Sequence, residues 1–157
     1  MKWSSLLRLI NFWLPLWGAG IRVTHISKDL REINVELKHR PWTLNYVRTQ
    51  YGGSIFSMTD PFYMLMLIEN LGRDYIVWDQ SASIRFKKPG RTKLKCAFRL
   101  SEEQLNEIRS EVDLQGKIVK PFQIEVMDMQ GEVVASIEKN IHIRKHPKAI
   151  KGTSEAR

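Results

Sequence analysis

The sequence predicts an α+β fold, an antiparallel sheet wrapped around one long central helix, and three observations predict it. Stretches that alternate apolar and polar residues lie on both sides of a single apolar segment with helical spacing. That segment is bounded by Gly52-Gly53 before it and Gly72 after it. Turn-forming sequences separate the alternating stretches. A chain of 157 residues, 43% of them apolar, can bury one substantial core and is short for two, so residues 1–146 are expected to form a single domain with a polar tail at 147–157.

Taken in order, residues 3–13 read as a short amphipathic N-terminal helix. Arg8 and Asn11 interrupt its apolar run and Pro15 follows soon after, which does not suit a cleavable secretory leader. No uninterrupted run approaches the roughly 18 apolar residues of a membrane span, although Trp3, Trp13 and Trp17 leave surface attachment to lipid open. Residues 21–26 and 33–38 alternate as half-buried strands, with 28–32 as the polar turn of a first hairpin. Residues 41–51 show no sustained period and are expected to form a loop over the helix that follows, 53–71, where Ile55, Met58, Phe62, Leu65 and Met66 recur at helical spacings. A long strand at 75–86 is expected to turn at Lys88-Pro89-Gly90-Arg91 into 92–100, a second hairpin. Ser101 and Gln104 form a capping box that opens a polar helix to about Val112. Residues 122–128 and 133–143 flank a turn at 129–132 and make a third hairpin.

Lys plus Arg number 25 against 17 Asp plus Glu, and the net charge of +8 favours a polyanionic partner without choosing among nucleic acid, a membrane surface and a phosphate-bearing metabolite. The single cysteine, Cys96, excludes an internal disulfide and suits a reducing, cytoplasmic compartment; Leu94 and Phe98 share its strand parity, so it is expected in the core.

The chemistry concentrates in residues 45–60, a polar loop that passes through a glycine pair into an apolar helix carrying one acid. Backbone N–H groups at a helix start can hold developing negative charge, and a carboxylate further along can activate water or attack a carbonyl; together these are the minimal parts of an acyl-transfer site. Gly53, with Gly52, would polarise a carbonyl; Asn45 would orient substrate or water; Asp60 would act as general base or nucleophile. Ser54 and Thr59 are candidate supports, and Ser57 would cap or bind water. Seven residues separate Gly53 from Asp60, about 10 Å along a helix, whereas groups acting on one carbonyl must lie about 3 Å from the same atom. Two antiparallel helices related by a two-fold axis would resolve the mismatch, with Asp60 of one copy facing Gly53 of the other. Each residue also has a plainer reading: Asp60 before Pro61 as a helix cap, the glycine pair as a tight helix entry, and Asn45 as a turn former.

The interval from Asn45 to Tyr51-Gly52-Gly53 and on to Asp60 resembles the PaaI-like branch of hotdog-fold acyl-CoA thioesterases, whose pattern is Asn, His-Gly-Gly six residues on, and Asp or Glu nine beyond the His. Gly18-Ala-Gly-Ile-Arg-Val, Thr59-Asp-Pro-Phe-Tyr-Met and Tyr75-Ile-Val-Trp-Asp are similar to a bacterial family of thioesterase-like proteins without assigned function, over about residues 3–145. The resemblance implies the hotdog fold, a homodimer or dimer of dimers with composite sites, an acyl-CoA or related thioester as substrate, and no cofactor beyond the coenzyme A of that substrate. Two positions depart from the pattern: Tyr51 replaces the usual histidine and Arg48 the usual glycine. A tyrosine can donate to a carbonyl but does not switch protonation near neutral pH as an imidazole does.

Arg85, Lys87 and Lys88 lie in the densest basic run, either a binding surface for coenzyme A phosphates or a solvated strand face that resists aggregation. Asp79 reads as a buried acid near the site or as a partner for Arg85. Phe56, Met58, Phe62, Tyr63, Met64 and Met66 read as core or as an acyl tunnel. His25, His39, His142 and His146 lack zinc-ligand spacing, so no metal is expected. No nucleic-acid-binding signature is present, which leaves a non-catalytic acyl or acyl-CoA binding protein as the competing function and a basic interaction module as the third.

Overall fold

A computed structural model describes residues 9–147. Among them a short α1 (Leu14–Gly18) is followed by β1 (Ile21–Ile26), β2 (Glu32–Leu37), α2 (Gly52–Ser57), α3 (Phe62–Leu71), β3 (Tyr75–Phe86), β4 (Leu94–Arg99), α4 (Glu102–Gln115), β5 (Lys117–Met127) and β6 (Val133–Lys145). The strands form one antiparallel sheet in the order β1-β2-β4-β5-β6-β3. The sheet curls around α2 and α3, giving the hotdog fold.

Alternation decides which faces turn inward. Ile33, Val35 and Leu37 of β2, Leu94, Cys96 and Phe98 of β4, and Phe122, Ile124 and Val126 of β5 are buried on the side facing the helices. Met58, Phe62, Met66 and Leu67 are fully buried against them, so these methionines and Phe62 are core rather than tunnel lining. The sheet nearly divides in the middle, since β4 and β5 pair only at Lys95 and Met127. Aromatic side chains close the gap: Phe98 of β4 meets Phe62 and Tyr63 of α3 at centroid distances of 4.9 and 5.2 Å, and Tyr63 stacks on Phe122 of β5 at 4.4 Å. Pro121 is tolerated within β5 because that stretch has no ladder on its β4 side.

The first and third hairpins form as the alternation predicts, and the Ser101–Gln104 capping box is made in both directions. The helix it opens runs on to Gln115, where Gly116 ends it at φ 77°. The second hairpin does not form. β3 pairs with β6 at the edge of the sheet, and β4 pairs with β2 three positions away. Lys87 and Lys88 donate their N–H groups to Val134 O, and Gly90 O accepts from Gln50 N, so residues 87–93 cross the end of the sheet instead of folding back on β3. A local turn signal marks a change of direction and carries no information about which strand becomes the neighbour.

Residues 3–8 of the expected N-terminal helix lie outside the described residues, as does the tail after Pro147. Residues 10–12 form a 3-10 turn, and α1 starts beyond it with Pro15 in its first turn. Asn11 then serves the sheet: its Nδ2 donates to Val23 O at 2.9 Å and its Oδ1 accepts from Val23 N at 2.7 Å, occupying the outer edge of β1. β3, at the other edge, leaves the outer side of 12 residues without a strand partner among the described residues. Among the described residues no helix is long and apolar enough to cross a membrane.

Because Phe98 holds both α3 aromatics, Phe98→Ala should cost about 3–5 kcal/mol, read as a lowered urea midpoint with the m-value unchanged.

Candidate functional site

The loop before α2 is closed by Asn45. Its Oδ1 accepts from the N–H of Val47 and Thr49 at 3.1 and 3.0 Å, and its Nδ2 donates to Thr49 Oγ1 at 2.8 Å. All its polar atoms are thus engaged in an Asx-type turn, which makes Asn45 an organiser of the loop. Arg48 sits in that turn at φ 63°, the left-handed region a glycine would enter freely, so the turn geometry persists at a backbone cost of about 1–2 kcal/mol.

Tyr51 then caps α2 through its carbonyl, which accepts from Ile55 N at 3.1 Å. The amides of Gly52, Gly53 and Ser54 find no acceptor among the described residues, as expected of the first turn of a helix. Both glycines are crowded. A Cβ on Gly53 would lie 2.3 Å from the Tyr51 ring, and one on Gly52 would lie 3.0 Å from Phe86. Asn45, Gly52, Phe86, Lys87 and Lys88 line one cleft of about 430 Å³, so four of the sequence-derived site residues converge.

Arg48, Tyr51, Gly53, Ser54, Ser57 and Arg85 are not in that lining, and Arg85 is exposed on β3. Lys88 is committed elsewhere. Its ammonium pairs with Asp128 at 2.6 Å and with Glu132, and this holds the Asp128 carboxyl below the usual carboxylate range. Ser54 is buried, and Ser57 Oγ donates to Gly53 O at 2.8 Å, within the helix.

Asp60 lies at the break between α2 and α3. Pro61 cannot donate an N–H, the helix resumes at Phe62, and Pro61 rather than Asp60 occupies the cap position, with no side-chain cap bond. The carboxylate turns away to Lys139 of β6. The Lys139 ammonium donates to Asp60 O, to Asp60 Oδ1 at 3.1 Å and to Asp79 Oδ2 at 2.8 Å, with its side chain 2% exposed. Asp79 therefore meets Lys139 and not Arg85. Burial pushes the Asp79 carboxyl above its ordinary value, and the bond from Lys139 opposes that rise. The Asp60 side chain stays 56% exposed and opens onto a second cavity of about 310 Å³ that includes Trp13, Pro15, Leu16 and Phe56.

Sequence reasoning missed Lys139, although a signal was present. It shares strand parity with Ala135, Ile137, Ile141 and Ile143, all fully buried, so a lysine stands in a column of core residues. Cys96 is buried and its thiol is pushed up by burial. Among the described residues no group of three His, Cys, Asp or Glu side chains could hold a metal ion.

A curled antiparallel sheet around α2 and α3, with a glycine pair at the start of α2 and an acid at the break between the two helices, defines a protein of the hotdog fold. The chain belongs to the family described as a domain of unknown function, DUF4442, whose family model matches residues 4–143. A probable thioesterase of unknown function from Pseudomonas aeruginosa superposes with a TM-score of 0.80 at 17% identity, covering 93% of this chain and 97% of that one. The PaaI protein of the Escherichia coli phenylacetic acid degradation operon gives 0.63 at 18%, covering 89% and 91%. A thioesterase from Haemophilus influenzae gives 0.63 at 12%, covering 88% and 90%. At these identities the likeness establishes the fold. No curated protein matches the chain significantly.

Gly53→Ala should displace the exposed Tyr51 ring, changing its NMR ring shifts, while stability moves by less than about 1 kcal/mol because alanine favours the helix by a similar amount. Asp79 supplies a pH signature. With its folded pKa raised, the folded state binds this proton more tightly than the unfolded chain, so the group's contribution to stability falls as pH climbs from about 4 through the raised value and is level above it. Urea titrations across that window should show wild type losing stability relative to Asp79→Asn as pH rises.

Proposed function

We propose that two copies of this chain form a cytoplasmic hotdog dimer that hydrolyses acyl-CoA thioesters at composite sites. One observation carries the reading: Gly52, at the helix start, and the acid of the motif line different cavities of the same chain. A thioester carbonyl held at Gly53 can be reached by an Asp60 only when a second copy brings its own helix alongside. The unpaired outer side of β3 offers a surface for that pairing.

In this mechanism the Gly53 N–H, with Gly52, receives the charge that develops on the thioester oxygen. Asp60 of the other copy takes a proton from a water that attacks the carbonyl carbon and returns it to the departing sulfur as the carbon–sulfur bond breaks; alternatively Asp60 attacks that carbon itself, expelling the thiolate and forming an acyl anhydride that water then hydrolyses to the free acid and the Asp60 carboxylate, the thiolate taking up the proton that this water releases. Lys87, exposed in the lining of the cleft, meets the phosphates of coenzyme A, with Arg85, exposed on β3, as a further cation for them. Lys88 anchors the crossing segment to Asp128 and Glu132 instead.

A second reading draws on Tyr51. Its ring lies against Gly53 where the PaaI-like pattern has an imidazole, which favours an acyl or acyl-CoA binding protein without turnover. Thiol release from a panel of acyl-CoAs separates the two. Hydrolysis predicts that Asp60→Asn lowers kcat by about 100-fold or more with the thermal midpoint little changed, whereas the binding reading predicts ligand affinity with no free thiol. Mixing Asp60→Asn with an inactive Gly53 variant should restore about a quarter of wild-type activity, because half the dimers are mixed and each of these has one intact site of two.

A further inference from the structure

The residue in this region that the motif does not account for is Lys139. Its ammonium is shut away from water on the inward side of β6, and an ammonium there persists only with several acceptors in reach. Three are present, from two elements: the carbonyl and Oδ1 of Asp60 at the break between α2 and α3, and Oδ2 of Asp79 on β3, beside the register shift between Asp79 and Ser81. Stability alone does not explain the arrangement, because a buried charged cluster holds a fold no better than apolar side chains of the same volume.

What the cluster does is asymmetric. It binds one carboxylate oxygen of Asp60 and that residue's own carbonyl, which fixes the side chain at both ends of its short stem. Oδ2 of Asp60 has no partner among the described residues, and the side chain is half exposed at the cavity that holds Trp13 and Phe56. Asp79 in turn restrains the lysine, and its Oδ1 is buried without a partner, so its bond to Lys139 is its one satisfied contact. The charged groups acting on Asp79 are Lys139 and Asp60 themselves.

We propose that Lys139 is a positioning residue of the thioester site: it holds Asp60 by Oδ1 and the main-chain carbonyl, leaving Oδ2 as the oxygen that acts, and Asp79 holds Lys139 in place. The role assigned to Asp60 rests on the hydrolase reading; the hold of Lys139 on Asp60 does not.

Two measurements on the full chain keep these apart. In wild type, three-bond NMR couplings at Asp60 should report a single χ1 rotamer, and in Lys139→Met they should average over rotamers. With acyl-CoA substrates, Lys139→Met should lower kcat by about 10- to 100-fold with KM changed less than about threefold, the pattern of a displaced reacting group rather than lost substrate binding. Asp79→Asn, which keeps the volume and the Asp60 contacts, should fold even where Lys139→Met does not, and should show the same split to a smaller degree. A folded Lys139→Met with an unchanged Asp60 rotamer, or with kcat within about twofold of wild type, would overturn the proposal. If Lys139→Met does not fold, unchanged kcat in Asp79→Asn would overturn it equally. Absence of turnover by wild type would remove the hydrolase reading alone, and the rotamer measurement would still decide whether Lys139 holds Asp60.

Discussion

The contact between α3 and the middle of the sheet is the constraint on which the rest depends. Between β4 and β5 the ladder narrows to one residue pair, and Phe62 and Tyr63 press into the opening against Phe98 and Phe122. The helix therefore joins two three-stranded halves that backbone bonds barely connect. Hydrophobic burial and ring packing supply there what hydrogen bonding supplies elsewhere in the sheet. Because α3 is fixed at this seam, the break just before it is fixed as well, and with it the position of Asp60.

Around that break the chain exchanges apolar packing for polar order. Pro61 removes an N–H from the helix, Thr59 Oγ1 bonds Phe56 O at 2.8 Å, and the carbonyl of Asp60 is taken by a lysine from the far strand. Removing Lys139 would leave the Asp79 carboxylate without a partner and the Asp60 carbonyl without its donor, which is costly. A second polar anchor, Lys88 with Asp128 and Glu132, ties the segment crossing the sheet end to the β5–β6 turn. Basic residues that read in sequence as one binding surface thus divide into a structural one and two exposed ones.

Much of the fold was legible because strand alternation and helical spacing are local properties. β1, β2, β5, β6 and the helical character of residues 53–71 follow from the pattern of apolar residues, whereas the division of that stretch into α2 and α3 comes with Pro61, which the spacing does not register. The partner of β3 does not follow from that pattern, because strand order is settled by which surfaces bury most area once the helix is enclosed. Part of the candidate site was legible from its motif and its basic run: Asn45, Gly52, Lys87 and Lys88 line one cleft although more than 30 residues separate the first pair from the second. Asp79 was recognised as an acid in an apolar strand, yet its partner was not, because Lys139 lies 60 residues away and a lysine between isoleucines passes for an outward residue unless parity is counted.

The two edges of the sheet are unlike, and this governs how copies can add to one another. Asn11 occupies the backbone of Val23 on β1, while the outer flank of β3 runs for 12 residues with no strand partner among the described residues. A sheet with one receptive flank can be extended once. Growth by this kind of edge pairing would end at two copies, because the far margins of such a pair would both be the β1 edge that Asn11 covers at Val23, and a polymer needs two open edges per copy.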